Sequence, residues 1–398
     1  MSIGLRGWGP AVLAGVAFFA AIEAGAEDRV VRIDGFGAKI GAVRLFGVNS
    51  EAALLAAAED VNKSGGVRLG DGARGKIEIG YFDDKCNAEE GLAVIRRIAS
   101  GDALAAVGPT CSNVAEPVFK ILQKTAGDAA DTGLQIPVFT DVAFRRGLAK
   151  ISEWSFRNVP SERSLYEALF AWIKSERPEL ATVFGGVEEN LAHSRVVWSN
   201  ILREQVERAG YRIVGEAKWA LDETAFAAQV ADMKKAKADI VMVSAHPFSA
   251  CGVLKEMRRQ GVSPKLLLGL SSAACLETLQ NCAKAAEGLI VPTTFAPVTP
   301  AARKMAEATA RQNGTADLYS ASAYEIVLTL RRVMEQAKIL AKPGSVQDDR
   351  AKIRAGLAAL NEVDGLVGPI RRTEDREAVK PALVVQVKDG AWHVLHRP

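Results

Sequence analysis

Residues 103–113 read Ala-Leu-Ala-Ala-Val-Gly-Pro-Thr-Cys-Ser-Asn. The opening apolar run makes a short buried strand, and Gly108-Pro109 ends it. Ser112 and Asn113 are N-cap residue types, so the spacing predicts a helix over 114–123. A strand that turns directly into a helix is half of a βαβ unit, and the flanks supply the rest. Residues 76–82 alternate as a strand. Residues 88–99 place Leu92, Ile95, Ile98 and Ala99 on one helical face, and 136–139 form the next strand. Upstream, a β-rich run at 30–33 precedes an Ala-rich helix over 50–62 that stops at Ser64-Gly65-Gly66. This alternation implies a parallel sheet with helices on its faces.

The same grammar restarts after residue 160. Helices are predicted at 165–175, 196–209, 226–235 and 251–260, with strands at 181–184, 211–217, 240–243 and 266–270. Two long helices follow at 300–312 and 321–339, and a third helix covers 349–360. The end, 368–370 with 382–394, reads as a β-hairpin turning at Asp389-Gly390. Two successive α/β units suit a chain of 398 residues.

Composition removes other classes. Lys and Arg total 50 against 47 Asp and Glu, a net charge of +3, which is no basic footprint for nucleic acid. An apolar content of 48% excludes a disordered chain. Residues 1–26 carry Arg6, an apolar run at 11–22 and Ala24-Gly25-Ala26, the pattern of a cleaved export signal. The run is shorter than the roughly 20 residues of a membrane span. The mature protein is therefore expected in a periplasm. Gly35 to Gly41 lacks the last glycine of a dinucleotide loop, and Asp83-Asp84 has no partner spaced to complete a metal or acid–base site. His393 and His396 are three apart on a predicted strand and point to opposite faces. No nucleophile elbow, Cys-x-x-Cys or His-Glu-x-x-His occurs, so no enzyme, cofactor or metal is expected.

Several ordered motifs carry a resemblance. They are Phe46-Gly47 just before a helix over 51–62, Asn62 to Val67, Tyr81-Phe82-Asp83-Asp84-Lys85-Cys86, and Gly108-Pro109-Thr110-Cys111-Ser112. The strand–loop–helix segment 239–261, Glu287-Gly288-Leu289 to Val291, and Gly365 to Ile370 follow. In order and spacing the chain resembles the solute-binding proteins of ABC importers, in the group that binds leucine, isoleucine and valine. The resemblance implies two Rossmann-like α/β lobes joined by a three-strand hinge. Lobe 1 would comprise 27–159 with 292–366, and lobe 2 would comprise 160–291 with 367–398. The solute would sit between the lobes at the carboxyl ends of the strands, and closure would bury it.

Candidate ligand-binding residues follow. The Cys111-Ser112-Asn113 turn offers free backbone N–H groups at a helix start, which favour a carboxylate; Ser112 contacts it in the family, or is a plain cap. Thr140 and Ala143 are the nearest equivalents of a second ligand-contacting turn. Asp141 beside them caps a helix or faces a cationic group. Phe46 replaces an aromatic residue that covers the ligand, and His193 and His246 fall where tyrosines commonly sit. Ser271 is a departure, because amino-acid binders of the family carry a carboxylate near it. Either Asp141, Glu188 or Glu189 supplies that charge, or the ligand has no α-ammonium. The resemblance also implies ABC permease subunits as partners of a monomer; a sensor docking on a membrane receptor is the alternative.

Five cysteines leave one unpaired or bridging chains. Cys86 and Cys111 end strands of one sheet and could approach within the ~4.4–6.8 Å of a bridge; the family has a disulfide there. For the rest, Cys275 with Cys282 requires a break near Asn281, and Cys251 with Cys275 is the other option.

Overall fold

The computed structural model describes Met1 and residues 29–397. Apart from Met1, the expected export segment lies outside the described residues. The first sheet comprises β1 (Arg29–Gly37), β2 (Val67–Arg68), β3 (Arg74–Asp83), β4 (Ala105–Val107), β5 (Val138–Thr140) and β6 (Ser155–Arg157). Its order is β2-β3-β1-β4-β5-β6. All pairs are parallel except β2 with β3. Side chains alternate between faces, as a pleated strand requires. Ala105 and Val107 join the cluster under α1 (Arg44–Lys63), whereas Ala106 joins that under α2 (Ala88–Ser100) and α3 (Ser112–Lys120).

The chain then leaves this sheet. It forms α4 (Glu162–Glu176), β7 (Thr182–Glu188), α5 (Ala192–Val197), α6 (Arg203–Arg208), β8 (Arg212–Trp219), α7 (Ala227–Ala236) and β9 (Ile240–Ser244). Next come α8 (Pro247–Gln260), β10 (Leu266–Gly269), α9 (Leu276–Ala286) and β11 (Leu289–Thr293). A π turn, Trp198–Leu202, joins α5 to α6. Helices α10 (Pro300–Arg311), α11 (Leu318–Gln336) and α12 (Val346–Ala358) return to the first half, where α10 and α11 bury α1. A small antiparallel sheet follows, from β12 (Glu362–Asp364), β13 (Pro369–Arg372) and β14 (Ala378–Val379). Finally β15 (Leu383–Lys388) and β16 (Ala391–His396) add an antiparallel hairpin to β11. Asp389 and Gly390 both have positive φ, 52° and 74°, as a two-residue primed turn demands. The second sheet runs β16-β15-β11-β10-β9-β7-β8.

The fold is thus α/β, with two sheets whose cores are parallel. Their windings match: β3-β1-β4-β5-β6 in one and β8-β7-β9-β10-β11 in the other. The order reverses between β1 and β4 and between β7 and β9. Such reversals open a crevice beyond the carboxyl ends of the strands, where α/β sheets bind ligands. No described helix is long and apolar enough to cross a membrane.

Several expectations need correction. Helix α1 starts at Arg44, so Phe46-Gly47 lies in its first turn and not before it. Gly47 permits this, since a Cβ there would lie 2.1 Å from the Ala38 carbonyl oxygen. The run at 368–370 pairs with β12 and β14 and takes no part in the terminal hairpin. A strand at the sheet edge, β6, was not expected, because its Ser-Phe-Arg has no apolar alternation. Neither option for the later cysteines holds: Cys251 bonds Cys282, with Cα atoms 5.5 Å apart, and Cys275 is free. Cys251 lies within α8, and Cys282 departs from helical geometry (φ −155°, ψ 30°) in α9, which packs on α8.

Candidate functional site

Turns after the central strands of both sheets meet at a pocket of about 50 Å³. From the first half come Phe46 on α1, Thr110 to Asn113 after β4, Phe144 after β5, and Tyr319 on α11. From the second half come Leu191 to His193 after β7 and His246 after β9. Ring contacts join the halves. Phe144 stacks on His193 at 4° with centroids 5.1 Å apart, and Phe46 lies 6.1 Å from His246. Tyr319 packs against both phenylalanines.

Local chemistry fixes these turns. Gly108 has φ +118°, and a Cβ there would sit 2.1 Å from the Phe36 carbonyl oxygen. The Gly108–Pro109 peptide bond is cis. Thr110 Oγ1 accepts from the Ala38 N–H, tying the β4 turn to the end of β1. Thr140 Oγ1 donates to the Pro109 carbonyl at 2.7 Å and accepts from the Ala143 N–H, tying the β5 turn to the β4 turn. Helix α3 begins at Ser112, and its N-cap, Cys111, makes no side-chain cap bond. The helix start therefore presents backbone N–H groups and the positive end of its dipole. Cys86 and Cys111 form a disulfide with Cα atoms 5.6 Å apart, and Asn113 Nδ2 donates to the Cys86 carbonyl at 2.9 Å.

The second half supplies a buried polar chain. His246 Nδ1 meets Glu188 Oε1 at 2.7 Å, and His246 Nε2 meets His193 Nδ1 at 3.1 Å. His193 Nε2 meets Glu162 Oε1 at 2.9 Å, and Ser271 Oγ donates to the same oxygen at 2.5 Å. Glu188 also accepts from the hydroxyls of Ser194 and Ser249. Burial raises the Glu188 carboxyl, but the His246 and Ser249 bonds outweigh it and leave it lowered. His246 is lowered by burial, against the pull of Glu188.

Of the expected residues, Phe46, Cys111, Ser112, Asn113, His193 and His246 line the pocket. Thr140, Asp141, Ala143 and Ser271 lie behind the lining and are buried. Of the expected carboxylates, Glu188 is engaged by its histidine and serines, and Glu189 pairs at the surface with Lys218. The carboxylate beside Ser271 is Glu162, which sequence reasoning missed, as it did Phe144 and Tyr319. Only the capping Ser161 marked Glu162's place at a helix start. Among the described residues no group of His, Cys, Asp or Glu is arranged to hold a metal ion.

Asp141 accepts a hydrogen bond from Ser50 within the first half. Burial pushes its carboxyl up to about 7, with Asp317 and Asp84 adding to the rise and the Ser50 bond opposing it. A raised acid binds its proton more tightly in the folded state, so folding is favoured at low pH. That contribution declines as pH climbs from the unfolded value, about 4, to about 7. Asp141→Asn keeps an acceptor for Ser50 and removes the titration. Thermal melts at pH 5 and 8 should therefore show a smaller pH-dependent loss in Asp141→Asn than in wild type; equal losses would exclude Asp141 as the source.

The family model described as periplasmic binding protein matches residues 31–391. The Leu/Ile/Val-binding protein of Escherichia coli (strain K12) is 23% identical over 366 residues, 91% of each chain. Two solved structures share the fold. The branched-chain amino acid transporter substrate binding protein of Streptococcus pneumoniae, in complex with isoleucine, has a TM-score of 0.76 at 19% identity, covering 93% of this chain and 100% of its own. A solute binding protein of R. palustris in complex with 4-hydroxybenzoate has a TM-score of 0.74 at 16% identity, covering 93% and 96%. With almost the whole described chain matched, this protein belongs to the periplasmic binding protein family, a non-catalytic solute-binding fold.

Proposed function

We propose that this protein is the extracytoplasmic solute-binding component of an ABC importer, which captures a small carboxylate-bearing solute. The class comprises an amino acid, an aromatic or short organic acid, or an amide. One observation carries this: the pocket joins the strand-end turns of both sheets, with an uncapped helix start on one wall and aromatic rings on the others. The α3 start suits a carboxylate, and Phe46, Phe144 and Tyr319 suit an apolar body. A volume of about 50 Å³ is far below the ~300–1,000 Å³ of small-molecule sites, so the solute enters by separation of the halves. The lobes are 27–159 with 292–366 and 160–291 with 367–398, and they close about the connecting strands. The relatives' names support a branched-chain amino acid transporter setting, and the 4-hydroxybenzoate complex supports an aromatic acid equally. The protein works as a periplasmic monomer that hands its solute to permease subunits.

Calorimetric titration with L-leucine, L-isoleucine, benzoate, 4-hydroxybenzoate and acetamide should give saturable binding for at least one. Ser112→Ala should weaken a bound carboxylate about tenfold, the loss of one hydrogen bond to a charged group. No saturable binding across the panel would overturn the reading.

A further inference from the structure

The chain Glu188–His246–His193–Glu162 contains three hydrogen-bonded links in series. Each link needs one proton, and each neutral imidazole brings one. Glu188 acts as an acceptor throughout, taking the His246 N–H and the Ser249 and Ser194 hydroxyls. Its link is therefore filled from His246 Nδ1. Glu162 Oε1 accepts from the Ser271 hydroxyl, the acceptor role of a carboxylate oxygen. Its link is filled from His193 Nε2. With both neutral imidazoles used, the 3.1 Å contact between His246 Nε2 and His193 Nδ1 would bring two lone pairs together. A third proton is required there.

We propose that His193 and His246 share one proton beyond those of two neutral imidazoles, that the closed pocket takes it up, and that Glu162 is the positioning residue that requires it. The groups facing the pair are Glu188 from β7 and Glu162 from α4; Tyr166 and Tyr319 flank Glu162. Two carboxylates flank one added positive charge, so the cluster stays one unit negative. His193 is the more exposed of the two, its side chain 18% exposed against 4% for His246. Phe144 stacks on that ring from the other half, and Phe46 lies against His246. Loss of the proton breaks the link between the histidines and loosens the rings on which the halves meet.

The inference rests on the two-lobe closure proposed above, but it is read without solute, so each fails separately. The chain has four histidines, which makes imidazole NMR tractable. Wild type with ¹⁵N-labelled histidine should show one imidazolium at pH 7.5, above the ~6.5 of an unperturbed imidazole. That signal should vanish in His193→Asn. Glu162→Gln is the decisive variant. Its amide donates to His193 Nε2, His193 Nδ1 then donates to His246, and every link forms with two neutral imidazoles. The imidazolium at pH 7.5 should disappear while the fold persists by circular dichroism. X-ray scattering between pH 6 and 9 should show the wild-type radius of gyration rising as the imidazolium titrates, and no change in Glu162→Gln. Two neutral imidazoles in wild type, or an imidazolium retained in Glu162→Gln, would overturn the shared proton. A constant radius while the imidazolium titrates would overturn its coupling to closure.

Discussion

Replacing Lys380 with methionine should lower stability by about 3 kcal/mol, read as a shift of the urea midpoint. Methionine nearly matches the volume of lysine, so the effect isolates the charge. The ammonium donates to Glu325 Oε2 at 2.5 Å and to Ser322 Oγ at 2.9 Å, with side chains only 5% and 7% exposed. Burial lowers the Lys380 ammonium, and Glu325 offsets part of that. Glu325 also accepts from the Leu366 N–H at 2.9 Å and from Asn158 Nδ2 at 3.3 Å. Removing the cation leaves a buried carboxylate whose direct donors are all neutral, with only the field of Arg372 to offset its charge, the costly way to break a buried pair. Changing both partners, Lys380→Met with Glu325→Gln, should recover most of the loss. A wild-type midpoint for the single variant would refute this account. Because Asn158 follows β6 and Leu366 lies between β12 and β13, the same variant tests whether the pair anchors these two stretches of chain.

The second large effect concerns the Cys86–Cys111 bridge. Cys86→Ser with Cys111→Ser should cost about 3 kcal/mol, from the loop entropy of a 25-residue separation. The double variant avoids a stray thiol. The bridge ties the turn after β3 to the N-cap of α3, so its loss frees the turn holding Ser112 and Asn113. Solute affinity should fall along with the melting temperature. A melt within 1 °C of wild type would show that the turn is held by Thr110, Thr140 and Asn113 alone.

Much of this was legible in the sequence, for physical reasons that also explain the gaps. Apolar strands such as 240–243 and 103–107, followed by capping residues, announced the βα units. The early start of α1 was hidden because Val43 offers no cap and Gly47 and Asn49 are poor helix formers. Strand β6 is short, polar and at an edge. The Ser112 and His246 turns were readable because each directly follows a strand. Glu162 was not, since Ser271 is 109 residues away and His193 is 31 away. Cys282 meets Cys251 across the packed helices α8 and α9, and no spacing rule pairs residues on two helices.

The matched winding of the two sheets has an evolutionary consequence. Every pocket residue named here lies on a turn or helix, and none lies within a strand. The strands that carry the core, such as Ala-Ala-Val in β4 and Ile-Val-Met-Val-Ser in β9, end before the lining begins. Diet can therefore be rewritten one turn at a time, in either half, while the scaffold that selection must protect stays untouched.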